Sequence, residues 1–207
     1  MNYINKTRFF ALFLTLTLLF TLALSYAKTT GRDISNAVVR LHIVANSNSE
    51  RDQKLKLKVR DRIIKDTSHI FEETLSPTQA LALATENISL IKNLAEDEIK
   101  RLGYDYPVTV SVGKEAFPTK TYGNLTLPSG RYNAVKVKIG EAEGENWWCV
   151  MYPPLCFTDG IISASENSIS QLKNSLSESE FMLLTKSSTS VPVEIKFKIV
   201  ELFQSWF

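Results

Sequence analysis

Gly130-Arg131-Tyr132-Asn133-Ala134-Val135-Lys136-Val137-Lys138-Ile139 alternates apolar with polar side chains. Val135, Val137 and Ile139 fall on one side of an extended chain, and Lys136 and Lys138 on the other. That is the period of a strand with one face in a core and one face in water. A Leu127-Pro128-Ser129 turn precedes it. The acidic, glycine-bearing loop Gly140-Glu141-Ala142-Glu143-Gly144-Glu145 follows and leads into a further strand, Asn146-Trp147-Trp148-Cys149-Val150-Met151-Tyr152. The two strands are expected to form a hairpin.

Upstream, Pro107 to Gly113 alternates in the same way, and Ala116 to Tyr122 reads as a short edge strand interrupted by Pro118. Ala37 to Ala45 is rich in β-branched residues and is bounded by Asn46-Ser47-Asn48-Ser49, which predicts a largely buried first strand and a loop. Between these strands lie two stretches of helical period. Residues 50 to about 68 place Leu55, Val59 and Ile63 on one face, with Ser49 available as a cap. Lys56 and Arg60 fall inside the apolar arc, either with stems along the core edge and charges turned to water or as a cationic contact on a partner-facing surface. Ser76-Pro77 opens a longer helix to Leu102, stopped by Gly103, with Leu81, Ala84, Ile88, Ile91, Ala95 and Ile99 in its stripe. The expected fold class is α+β, two long helices packed on a mostly antiparallel sheet and preceded by an N-terminal signal or anchor helix.

Beyond Phe157 the sequence is richer in Ser, Glu and Asn, and a helix around Ser168 to Leu176 inside a mobile segment, 163–190, is expected. Pro192 to Phe207 fits a helix with Ile195, Ile199, Leu202 and Trp206 on one face, while Val193 to Ile199 also alternates as a strand would.

The N-terminus has a different character. Asn5-Lys6-Thr7-Arg8 is a short cationic segment, and Phe9 to Leu24 carries no charge. Ser25 and Ala27 stand at the spacing a signal peptidase accepts, which places a cut before Lys28. The threonines at 15, 17 and 21 and that site favour a cleaved signal peptide over a retained anchor, although Phe9 to Ala27 matches a bilayer span in length. Residues 1–27 are therefore a signal peptide or signal anchor, 28–36 a linker, and 37–207 one exported domain. Contact with a membrane would come only through the N-terminal segment if it stays uncleaved.

The whole chain has 207 residues, 24 of them basic and 22 acidic. Removing Lys6 and Arg8 with the leader leaves 22 basic residues against 22 acidic ones. A neutral domain lacks the cationic surplus that displaces counterions from phosphates, so no nucleic-acid partner is expected.

Cys149 and Cys156 are the only cysteines, and both lie in the exported part. An oxidising compartment predicts a disulfide between them, and closing so short a loop would contribute roughly 2.5 kcal/mol in the chain-entropy model. The rival is a cysteine nucleophile activated by His42 or His69, giving a secreted Cys-dependent hydrolase or a cell-wall enzyme, but neither histidine sits in a motif that assembles such a pair. No catalytic residue, metal site or cofactor is expected: a phosphate loop, a nucleophile elbow and close metal-ligand pairs are all missing. Aromatic and proline residues stand out instead, in Phe117-Pro118-Thr119-Lys120-Thr121-Tyr122-Gly123 and in Trp147, Trp148, Tyr152, Pro153, Pro154 and Phe157. Clusters of this kind suit a binding surface; the alternative is that half of them, with Trp148 and Tyr132 foremost, fill the core beneath the sheet.

Three long segments, in order, give the sequence a likeness: Arg40-Leu41-His42-Ile43-Val44-Ala45-Asn46-Ser47 with Asp52-Gln53 and Leu55 to Asp61; Phe117 to Gly123 with Leu127-Pro128 and Gly130; and Gly144 to Phe157. Through them the exported part resembles the stage II sporulation protein R family of endospore-forming bacteria. The resemblance implies a signalling protein exported from the forespore into the space between the two sporulation membranes. There it would activate the membrane-embedded sigma-E processing peptidase of the mother cell and do no chemistry itself. Motif position and physical character single out Lys56, Arg60, Phe117, Pro118, Lys120, Tyr122, Trp147, Trp148, Pro153 and Pro154 as the partner-binding surface.

Overall fold

Every residue of Val39–Val44 is buried. A strand covered on both faces belongs in the middle of a sheet. In the computed structural model, which describes residues 3–72, 74, 76–155 and 166–185, this strand (β1) has neighbours on both edges. With β2 (Val108–Phe117), β5 (Gly130–Ile139) and β6 (Asn146–Tyr152) it forms a four-stranded sheet in the order β2-β5-β1-β6. β2 and β5 are antiparallel, β5 and β1 parallel, and β1 and β6 antiparallel.

The hairpin expected of Gly130 to Tyr152 does not form, because β1 lies between its two strands. An apolar strand buried on both faces leaves no backbone polar group to water and so takes a ladder partner on each side. The loop 140–145 steps across the end of β1, where the Gly144 N–H donates to the Ala45 carbonyl at 3.0 Å and the Glu143 N–H to the Asn46 carbonyl at 3.2 Å. Its two glycines are both required. Gly140 has φ +58° and packs on the Asn46 side chain, and a Cβ on Gly144 would overlap the Ser47 carbonyl.

One face of the sheet is covered by α2 (Glu50–Glu72), α3 (Pro77–Glu86) and α4 (Ile88–Arg101). Leu55, Val59 and Ile63 of α2 meet Ala80, Ala84, Ile91, Ala95 and Ile99 over the inward side chains of β1 and β5. Ser49 caps α2 by accepting from the Asp52 N–H at 3.2 Å, and Ser76 caps α3 by accepting from the Gln79 N–H at 3.2 Å. The single helix expected from Pro77 to Leu102 is broken at Asn87, whose backbone N–H and side-chain amide both donate to the Leu83 carbonyl, at 3.0 and 2.8 Å. Such side-chain bonding to local backbone competes with helix continuation. The apolar stripe runs through the break because both helices use it.

The other face carries a second core built from Ile34, Ala37, Val38, Phe117, Tyr132, Ala134 and Val150, closed by the hairpin of β3 (Lys120–Tyr122) and β4 (Leu125–Leu127). Leu172 of α5 (Glu166–Asn174) and Leu184 of α6 (Glu178–Leu184) complete it. The edge strand expected over 116–122 is therefore split: Ala116 and Phe117 end β2, Pro118 interrupts, and the rest forms the hairpin.

The N-terminal helix α1 (Tyr3–Asn36) is long and apolar enough over Arg8–Asn36 to cross a membrane, with its apolar stretch exposed. Hydroxyls of Thr15, Thr17 and Thr21 donate to carbonyls one turn back at 2.8 to 3.0 Å, so these polar groups are satisfied within the helix. Residues 28–36, expected as a linker, continue that helix; Thr30, Ile34 and Ser35 are buried, Ile34 within the second core. Their polar composition conceals the four-residue step from Thr30 to Ile34 to Val38. Cys156, Phe157 and the segment 192–207, with its helix-or-strand alternative, lie outside the described residues, as do 163–165 and 186–190 of the segment expected to be mobile.

A cationic and aromatic cleft along the edge strand

Among the described residues β6 is an edge of the sheet, and on its two sides stand α2 and the β3–β4 hairpin. Between them opens a cleft of about 520 Å³. Lys56 and Arg60 line it from α2, Lys120 and Tyr122 from β3, and Trp147, Trp148 and Cys149 from β6. Thus residues from segments far apart in the chain, singled out as a binding surface, come to one place. Phe117 is buried beneath this region, Pro118 is exposed at the start of the hairpin, Pro153 is buried and Pro154 half-buried.

Lys56 and Arg60 are 4% and 7% exposed, so both stems are covered, and both residues line the cleft. The Lys56 ammonium donates to Gln53 Oε1 at 2.6 Å and to the Glu145 carbonyl at 2.9 Å. Burial lowers its pKa and Arg60 adds to that, against the raising influence of Glu145. Arg60 donates from Nε and Nη2 to Asp61 Oδ1 at 2.7 and 2.5 Å and stacks its guanidinium 4.3 Å from the Trp147 ring centre.

Successive residues of β6 face opposite ways. Trp147 packs towards α2, whereas Trp148 stacks on His42 with ring centres 3.9 Å apart and lies 4.7 Å from Phe117. His42 Nε2 sits 2.6 Å from Asn146 Oδ1. Burial lowers the His42 pKa, Asn146 opposes this, and Lys136 and Lys138 reinforce it while Glu115 counteracts. Cys149 pairs in register with Leu41, and His42 with Trp148. His42 and Cys149 consequently project from opposite faces, and the cysteine–histidine pair of a nucleophilic site is not assembled from them. His69, the other candidate base, is exposed near the end of α2.

Two residues here were not singled out from the sequence. Arg40 is fully buried, with its guanidinium 4.0, 4.8 and 5.8 Å from the ring centres of Phe117, Tyr132 and Tyr122. Nη2 donates to the Tyr122 hydroxyl at 2.5 Å, which in turn donates to the Trp148 carbonyl at 3.3 Å, while Nη1 has no hydrogen-bond partner among the described residues. Burial lowers even this guanidinium's pKa, with Tyr122 and Tyr132 opposing. The signal in the sequence is Arg40 and His42 two apart in an otherwise apolar strand, which puts both on one face. The second is Asp52, buried at the start of α2. Burial raises its carboxyl, but hydrogen bonds from Ser47, Asn46, Tyr106 and Ser49 outweigh that and hold it below the usual carboxylate range. It ties the end of β1 to α2.

The described residues form an α+β domain behind a signal- or anchor-type helix, with a cationic and aromatic cleft at the edge of its sheet. The family model described as Stage II sporulation protein R (spore_II_R) matches residues 35–162, and the chain belongs to that family. It is 37% identical over 126 residues to "Stage II sporulation protein R" of Bacillus subtilis (strain 168), a match covering 61% of this chain and 56% of that protein. The match thus spans little more than half of the relative's length. No solved structure matches the chain.

Proposed function

We propose that this protein is an exported sporulation signal that activates the membrane-embedded sigma-E processing peptidase from the space between forespore and mother cell, leading to maturation of the mother-cell sigma factor. It acts by binding and performs no chemistry of its own. Membership of the family supports a sporulation role. The apolar N-terminal helix supports export, as a signal or as an anchor. The observation that carries the reading is the cleft, where Lys56, Arg60, Lys120, Tyr122, Trp147 and Trp148 converge beside an edge strand. Trp, Tyr and Arg are the residue types that dominate binding energy at protein interfaces, and this cleft presents all three. Deleting the gene is expected to leave pro-sigma-E uncleaved in sporulating cells; normal processing in the deletion strain would end this reading.

A disulfide between Cys149 and Cys156 belongs to the same proposal, supported by the oxidising destination and by the proximity of the two residues in sequence. Titration of the oxidised protein should find no free thiol. A Cys149→Ser, Cys156→Ser variant should signal at normal strength per folded molecule, and loss of signalling by a folded variant would favour cysteine chemistry instead.

A further inference from the structure

The charges around the cleft are unequally answered. Lys56 is buried, yet among the described residues its ammonium hydrogen-bonds only to neutral oxygens, the Gln53 amide and the Glu145 backbone carbonyl, with the Glu145 carboxylate acting on it through space. An ammonium has three donors, so one remains for a further acceptor. Lys120 adds positive charge to the lining, Arg60 is answered by Asp61 beside the cleft, and among the described residues the lining's one carboxylate, Glu145, is exposed. Trp147, held under Arg60, presents a buried indole N–H that has no acceptor among the described residues. A buried cation hydrogen-bonded to no carboxylate and a buried donor without an acceptor are costly unless something supplies them.

The edge strand narrows what that something is. The Trp148 carbonyl already accepts from the Tyr122 hydroxyl at 3.3 Å, and the Val150 carbonyl from the Leu155 N–H at 3.2 Å. With those carbonyls already engaged, ladder extension by a partner strand is disfavoured there, and recognition falls to the walls of the cleft and their charge.

We infer that the cleft takes a carboxylate-bearing segment of a partner protein, an Asp or Glu side chain seated against Lys56 with its neighbours packed between Trp147 and Lys120. This rests on the reading of the cleft as the contact surface and names the chemistry it selects. A carboxylate supplies the acceptor that the ammonium lacks and forms the stronger, charge-assisted kind of hydrogen bond.

The test uses the full chain in sporulating cells, with a photo-crosslinking amino acid at Leu57, which lines the cleft, and at exposed Lys54 as a control. The crosslinked partner segment is mapped by mass spectrometry. The expected product is a protein segment with Asp or Glu at or next to the crosslinked residue. Lys56→Glu should reduce its yield about tenfold or more, a loss of about 1.4 kcal/mol, and an Asp or Glu→Lys change in the mapped segment should restore it. Lys56→Met, which keeps the stem, should give an intermediate yield and separates loss of charge from loss of fold. A segment without carboxylates, a crosslink to lipid alone, a yield indifferent to Lys56→Glu, or no Leu57 product above the Lys54 control overturns the inference. If the mapped segment is acidic but belongs to a protein other than the peptidase, the carboxylate inference stands and the peptidase reading falls. A neutral or basic segment of the peptidase gives the reverse.

Discussion

The guanidinium of Arg60 lies 4.3 Å from the ring centre of Trp147, so that a helix and the edge strand of the sheet share one wall of the cleft. The contact is partly desolvated, where a cation on an indole contributes about 0.5–2 kcal/mol. A double-mutant cycle of Arg60→Met and Trp147→Leu, followed by urea unfolding of the full chain in mild detergent, should therefore show a favourable coupling in that range. Strict additivity of the two changes would mean that the stack contributes nothing.

The Tyr122 hydroxyl accepts from Arg40 and donates to the Trp148 carbonyl, and in doing so joins the β3–β4 hairpin to the sheet. Tyr122→Phe leaves a buried guanidinium donor without its acceptor and is expected to cost about 1–3 kcal/mol. Arg40→Met removes the buried charge together with its donors and should cost less than Tyr122→Phe, because an unanswered buried charge is worse than none. The reverse order of the two unfolding free energies would show that the aromatic rings around Arg40 stabilise the cation more than the hydroxyl does.

Glycine substitutions separate the crossover loop from the strands. Gly144→Ala drives a Cβ into the Ser47 backbone and should destabilise by about 1–3 kcal/mol. Gly113→Ala meets nothing within 4 Å and should be neutral or slightly stabilising. Comparable losses at both positions would contradict the placement of the 140–145 loop over the end of β1.

His42 sets a pH dependence whose sign follows from its lowered pKa. The unfolded chain takes up a proton near the ordinary histidine value of about 6.5, whereas the folded chain resists until lower pH, so stability falls as pH drops below about 6.5. Asn146 and Glu115 favour the charged form and Lys136 and Lys138 disfavour it, but burial prevails. Urea midpoints measured at about pH 7.5 and about pH 5.5 should fall for the parent and change less for His42→Gln. An equal fall in both would assign the slope to other groups.

The sequence made the periods legible and left the partners of each strand hidden. Val135, Val137 and Ile139 announced their face through alternation, and Leu55, Val59 and Ile63 announced theirs through a four-residue step. That β1 would lie between β5 and β6 was not visible, because adjacency in the chain argues for a hairpin and only burial of β1 on both faces argues against it. The break at Asn87 was hidden by an apolar stripe common to both helices. Lys56 and Arg60 were conspicuous as charges in an apolar arc, and that misfit was the truest sign of the cleft. Arg40 passed unnoticed because its three aromatic neighbours come from β2, β3 and β5, and no local pattern brings them together.

The most direct test of the central claim places the peptidase, pro-sigma-E and this protein together in a non-sporulating host and measures cleavage of pro-sigma-E. The parent chain should trigger cleavage. A Lys56→Glu, Arg60→Glu variant of equal abundance should lose about tenfold or more, whereas Lys54→Glu, Lys58→Glu on the exposed side of the same helix should not. Cleavage at the parent level with the cleft variant would contradict the assignment of this cleft as the activating surface.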